Sequence, residues 1–349
     1  MSLDLHLRHH LAEGHVIPAM PLALSRSRRW DEKRQRGLVR YYLDAGAGGL
    51  AVAVHSTQFA IRDQAVDLFE PVLRLVAETA EHWLHRRPRA PLALVAGICG
   101  RTSQAVREAR IARRCGYHAG LLSLGAWAKD PEPAILAGCR RVAREIPLFG
   151  FYLQEAAGGR VLSFDFWRRF VEIPELVAIK LAPFNRYRTI DVVRAVAAAG
   201  RSDVALYTGN DDNIIGDLLT AFEFGPRPRH LAGGLLGQWG VWTERAVALL
   251  AEIKRARLRG RLAAVWWTRN AELTDANAAI FDAAHNFAGC MPGIHEVLRR
   301  QGLLASTACL DANEKLSPGQ AREISRVSRA YPWLVDDDFV DQNRARWLD

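Results

Sequence analysis

From His15 to about Lys254 the chain alternates short aliphatic or β-branched runs with segments whose apolar residues recur every three or four positions. A strand buried on both faces reads as a continuous apolar run, and its covering helix as an amphipathic one. The alternation therefore predicts repeated βα units around a parallel sheet. Eight strands are expected, at 15–24, 49–55, 91–98, 119–124, 147–152, 176–181, 204–208 and 231–236. The helical period is clearest over 65–83, where Val66, Leu68, Phe69, Val72, Leu73, Leu75 and Val76 mark one face. Thr102 and Ser163 stand where N-caps are expected, ahead of the third and fifth helices. Eight regularly spaced units, with no GxGxxG turn after the first strand, favour a closed (β/α)8 TIM barrel over an open doubly wound sheet.

Beyond Arg259 the strand pattern stops, and 270–288, 294–303 and 318–328 read as helices. Met291-Pro292-Gly293 and Ser317-Pro318-Gly319 punctuate them. The expected organisation is a barrel over residues 1–258 and a C-terminal helical region over 259–349. Residues 336–349 open with Asp336, Asp337 and Asp338, and are expected to form a solvated tail or to lie against a neighbouring subunit.

Composition narrows the class. Of the 349 residues, 49% are hydrophobic and 24% charged, the balance of a globular protein with ample core. No apolar run reaches the roughly 18 residues of a membrane span, and the His- and Arg-rich start lacks the apolar region of a secretory signal. A cytoplasmic location with no membrane association is expected. Cys99, Cys115, Cys139, Cys290 and Cys309 show no CxxC pairing and are expected as free thiols. The net charge of +9 comes from arginines spread along the whole chain, so a nucleic-acid partner is not expected. Lysine occurs only at 33, 129, 180, 254 and 315.

One of these lysines is out of place. Lys180 sits inside the apolar run Leu176–Leu181, near the carboxyl end of the sixth strand, where barrels gather their chemistry. Burial lowers an ammonium's pKa and frees an amine that can attack a carbonyl. The alternative is a lysine reaching from the rim to solvent or to an acid. Tyr152 ends the fifth strand, one unit earlier, and a phenol near that amine could pass protons. By itself it reads equally as a rim aromatic with its hydroxyl in water.

With these strand ends in hand, the chain resembles the dihydrodipicolinate synthase / N-acetylneuraminate lyase family of Schiff-base aldolases and lyases. The resemblance rests on Ile17-Pro-Ala19, Ala45-Gly46 through Thr57-Gln58-Phe59, Tyr152, Val177-Ala-Ile-Lys180, Tyr207-Thr-Gly-Asn-Asp-Asp212, and Gly293-Ile294 to Gly302-Leu303. It implies that Lys180 is the Schiff-base lysine and Tyr152 the proton-transferring phenol. It further implies that Ser56 and the Thr57 amide hold a substrate carboxylate, with Gly209 and the Gly233–Gly237 loop, including Gly234, as the opposite wall. No cofactor or metal is implied, the partner is a small 2-oxo acid, and a homo-oligomer, dimer or tetramer, is expected.

Departures from the family pattern reshape the expectation. His55 stands where a relay threonine belongs, and serves either as acid and base or as a structural imidazole. The fourth strand ends without the synthases' tyrosine pair, and Gln154-Glu155-Ala156-Ala157 replaces the turn that precedes their arginine. Asn185, Arg186, Asn210 and Asp211 are candidates for specificity, with helix capping the alternative for Asp211 and Asp212. These losses argue against dihydrodipicolinate synthase activity itself. The expected function is a lyase or aldolase acting on pyruvate or a 2-oxo-3-deoxy sugar acid. A dehydratase or decarboxylase of an oxo diacid, and a non-catalytic ligand-binding barrel, are the alternatives.

Overall fold

The computed structural model describes residues 5–85, 91–226 and 228–349. The chain opens with α1 (Leu5–Glu13), followed by β1 (Val16–Pro18) and α2 (Glu32–Asp44). Next come β2 (Gly49–Val52), α3 (Phe69–His85), β3 (Ala93–Ile98), α4 (Thr102–Arg114), β4 (Ala119–Leu122) and α5 (Glu132–Ala143). The second half supplies β5 (Leu148–Leu153), α6 (Phe164–Phe170), β6 (Leu176–Ala182), α7 (Arg186–Ala198), β7 (Ala205–Thr208), α8 (Ile214–Leu219), β8 (Gly233–Leu236) and α9 (Thr243–Leu258). All eight strands pair in parallel, in the order β1-β8-β7-β6-β5-β4-β3-β2. A parallel bridge from Ala19 to Ala51 and the Met20 amide donating to the Ala51 carbonyl at 2.8 Å bring the first strand back to the second. The result is the expected (β/α)8 barrel.

Its apolar residues sort into two shells, because successive strand side chains point to opposite faces. The inner shell holds Ile17, Val95, Leu121, Phe149, Tyr207 and Leu235, with Leu7 and Leu11 of α1 closing the amino-terminal end. The larger outer shell lies between strands and helices. The first strand is shorter than its apolar run: after Pro18 the Ala19 and Met20 amides still bond the neighbouring strands, and Pro21 then offers no N–H to continue. Ser163 caps α6 as expected, accepting from the Phe166 amide, whereas Arg101 rather than Thr102 holds the capping position of α4.

The C-terminal region adds α10 (Val265–Ile280), α11 (Cys290–Arg300), α12 (Gln320–Ala330) and α13 (Asp337–Leu348). Pro292 and Gly293 lie inside α11 instead of preceding it. A proline costs little in a helix's first turn, and any Cβ at 293 would stand 1.8 Å from the Ile280 carbonyl oxygen. The expected tail at 336–349 is instead a packed helix. Trp347 is fully buried, its indole N–H donates to Asp44, and Arg40 donates to its carbonyl. Asp336 is buried too, accepting from the Tyr41 hydroxyl at 2.7 Å and from Gln301. Burial pushes its carboxyl up to about 6. Among the described residues no helix is long and apolar enough to cross a membrane.

Candidate active site

In the sheet register Lys180 of β6 lies beside Phe151 of β5 and Tyr207 of β7. Phe149 and Tyr207 belong to the inner shell, so the lysine stem points into the barrel near its carboxyl end. The Lys180 Nζ lies 4.7 Å from the centre of the Phe151 ring, and among the described residues it makes no hydrogen bond and no ion pair. An aromatic face is a weaker partner for an ammonium than water or a carboxylate. Burial consequently lowers its pKa to about 8, with the negative charge of Asp211 opposing the shift.

Gly209, just past β7, makes room for this side chain. Its amide donates to the Leu181 carbonyl at 2.7 Å, and an added Cβ would stand 2.4 Å from the Lys180 Cε. Any other residue would displace the amine.

Asp211 supplies the neighbouring acid. Its Oδ1 is buried without a hydrogen-bond partner, while its backbone carbonyl accepts from Asn277 of α10 at 2.7 Å. Burial raises the carboxyl to about 7, and the Lys180 charge is the first of the effects that hold it from rising further. Lys180 and Asp211 each feel the other's charge without forming an ion pair, and both titrate near neutrality. Capping does not account for Asp211, because Asn213 holds the position before α8. Cys290, at the start of α11, is close enough to Asp211 for that charge to add to burial in raising its thiol pKa.

His55 begins the 3-10 turn that follows β2, with its ring stacked 5.8 Å from Phe59. Its ring remains open to solvent at the mouth of the site. Crowding by protein and then the charge of Lys180 lower its pKa, so the imidazole is neutral at physiological pH.

Comparison with known proteins supplies the context. No family model matches the chain. The chain is 25% identical over 203 residues to a 4-hydroxy-tetrahydrodipicolinate synthase of Cyanothece sp. (strain PCC 7425 / ATCC 29141), a match covering 57% of this chain and 64% of the relative. The chain thus spans less than two thirds of the length of that curated relative. This similarity agrees with the resemblance to the dihydrodipicolinate synthase / N-acetylneuraminate lyase family read from the strand-end motifs. Solved structures agree in fold. A chloride-inhibited dihydrodipicolinate synthase from Acinetobacter baumannii, complexed with pyruvate, superposes with a TM-score of 0.73 at 17% identity, covering 90% of this chain and 98% of its own. An N-acetylneuraminate lyase from Fusobacterium nucleatum gives 0.70 at 15%, covering 92% and 99%.

Against the family expectation, the site is partly rearranged. Tyr152 does not meet Lys180. It pairs with Leu181 in register, so its side chain faces the outer shell, where the ring lies 5.0 Å from Trp167 and the hydroxyl accepts from the Leu162 amide. The residue that shares the lysine's face is Phe151, one position earlier. Gly234 is likewise turned outward, because its missing Cβ would meet the Trp239 ring at 2.7 Å. Asn210 is buried and tied into structure, accepting from the Phe184 amide and donating to Asp217 and Thr189. Asp217 is also gripped by Arg186 and Thr208. Ser56 and Thr57 are buried and both donate to the Met20 carbonyl, at 3.3 and 2.7 Å, and the Thr57 amide is closed onto Val54. Of this pair, the loosely held Ser56 hydroxyl is the one that can turn toward a ligand.

Proposed function

We propose that this chain is a class I lyase or aldolase that forms a Schiff base between Lys180 and the 2-oxo group of pyruvate or of a 2-oxo-3-deoxy sugar acid. The observation that carries the reading is a part-buried amine inside the barrel with no hydrogen bond or ion pair among the described residues, near an Asp211 carboxyl whose buried Oδ1 also lacks a partner. The neutral amine adds to the carbonyl carbon, and the protonated form of the Asp211 carboxyl supplies the proton with which the carbinolamine hydroxyl leaves as water. The resulting iminium draws electrons from the adjacent carbon, which allows a carbon–carbon bond one position further to break or to form. Asp211 and His55 take the proton-transfer role that Tyr152, facing the outer shell, cannot fill. The Ser56 hydroxyl is assigned to the substrate carboxylate.

The pyruvate named for the Acinetobacter synthase complex supports the choice of a 2-oxo acid. Exposed Leu258, Val265 and Trp267 at the α9–α10 junction support a homo-oligomer. A panel of 2-oxo-3-deoxy sugar acids, assayed by NADH-coupled detection of released pyruvate, tests the activity. The native protein should release pyruvate from at least one of them and Lys180→Ala from none. Equal release by both proteins would remove Lys180 from the chemistry, while release of carbon dioxide or water with no pyruvate would mark the reaction as decarboxylation or dehydration.

A further inference from the structure

The opposite end of the barrel carries a second cluster of chemically capable side chains. His10 and Glu13 belong to the last turn of α1, and His15 leads into β1 across the turn at Gly14. One ligand atom from each of the three lies within 4.8 Å of the other two. The imidazoles stack, with ring centres 3.7 Å apart and planes inclined by 20°. We propose that His10, Glu13 and His15 bind a divalent transition-metal ion, of which zinc is the best fit, at the amino-terminal end of the barrel.

Two independent features of the rings favour metal over a merely packed pair of histidines. The first is anchoring. His10 Nε2 lies 2.7 Å from the Gly48 carbonyl, to which it can only donate, so its Nδ1 carries a lone pair. An imidazole whose far nitrogen is held by a backbone carbonyl is the usual arrangement around a metal, because it fixes tautomer and orientation before the ion arrives. The second is the orphan nitrogen. His15 Nε2 is buried with no hydrogen-bond partner, and the nearest acid oxygen, from Glu13, is 3.8 Å away.

Two nitrogens and a carboxylate oxygen suit zinc in a four-coordinate site with water in the last position. Ligands about 2.0–2.1 Å from zinc stand roughly 3.3 Å apart, so the three groups must draw in slightly. Glu13 is about half exposed, with its Oε1 3.3 Å from the His9 Nδ1, so it must give up that contact, and the rings must open from their stack. Lys254, whose Nζ donates to the Gly14 carbonyl at 2.5 Å, opposes a cation, and the Glu13 carboxylate offsets it. The ion would staple α1 to the barrel floor, where Leu11 also accepts from the Tyr207 hydroxyl at 2.8 Å. This role is independent of Lys180.

The test is cobalt(II) and zinc titration of the full-length protein after treatment with a chelator, read by visible absorption for cobalt and calorimetry for zinc. The site predicts one equivalent of metal, a rise in Tm on loading, and unchanged binding in Lys180→Ala. Affinity should fall at least tenfold in His15→Ala and Glu13→Gln, with circular dichroism verifying that both variants fold. His9, whose Nδ1 lies 3.3 Å from the Glu13 carboxylate, is tested alongside them, and His9→Ala should still bind one equivalent. No saturable binding, or binding abolished by His9→Ala and unaffected by His15→Ala, would overturn the assignment.

Discussion

The reactivity proposed for Lys180 rests on what its neighbours lack. Phe151 offers a ring and no acceptor, and Gly209 offers space. Gly209→Ala should therefore leave the protein folded yet slow imine formation with pyruvate by about 100-fold, since an ångström of misplacement can cost that much. Stopped-flow or quench measurement of the trapping rate checks it. Tyr152→Phe should leave that rate within about twofold while lowering stability by roughly 1 kcal/mol, the worth of the Leu162 hydrogen bond. Urea denaturation together with the trapping rate separates the two effects. The placement of Lys180 inside the barrel was legible in the sequence, because a charge inside an apolar strand has few explanations. Its partner was not, because Phe151 and Tyr152 are adjacent and only the register decides which one faces inward. Asp211 was obscured by a competing explanation, since an acid shortly before a helix ordinarily reads as a cap.

Among the elements, the strands of the barrel were the most legible, because each is buried on both faces and reads as a plain apolar run. The end of the chain was the least. Three consecutive acids look like a solvated tail, and nothing local reveals that Asp336 is satisfied by Tyr41 and Gln301 or that Trp347 fills a slot against α2. Such long-range compensation is invisible to periodicity. The consequence is measurable: Trp347→Ala should destabilise the protein by about 3–5 kcal/mol, the range for deleting a buried large aromatic, with the trapping chemistry intact. A loss below about 1 kcal/mol in chemical denaturation would contradict the packing described for α13.

For the whole molecule, the part-buried Lys180 amine sets a pH dependence of stability. A lysine lowered to about 8 from its ordinary 10.5 binds fewer protons in the folded state than in the unfolded state between those limits. The folded protein therefore bears the full burial cost below pH 8, and the cost is relieved as pH rises toward 10.5. Lys180→Met, with Asp211 then free to protonate, should be more stable than the native protein at pH 7 by about 1–3 kcal/mol, and the gain should shrink by pH 9.5. Urea midpoints at the two pH values check the sign. The same trade between stability and a reactive group holds the catalytic reading together, because an amine comfortably paired with an acid would be stable and inert.

Peptide mapping by mass spectrometry after borohydride reduction in the presence of pyruvate tests the central claim most directly. The chain's other lysines, Lys33, Lys129, Lys254 and Lys315, serve as internal comparators. The account predicts a reduced pyruvyl adduct on the peptide that carries Lys180, absent from Lys180→Ala. An adduct spread over the other lysines, or no adduct at saturating pyruvate, would contradict it.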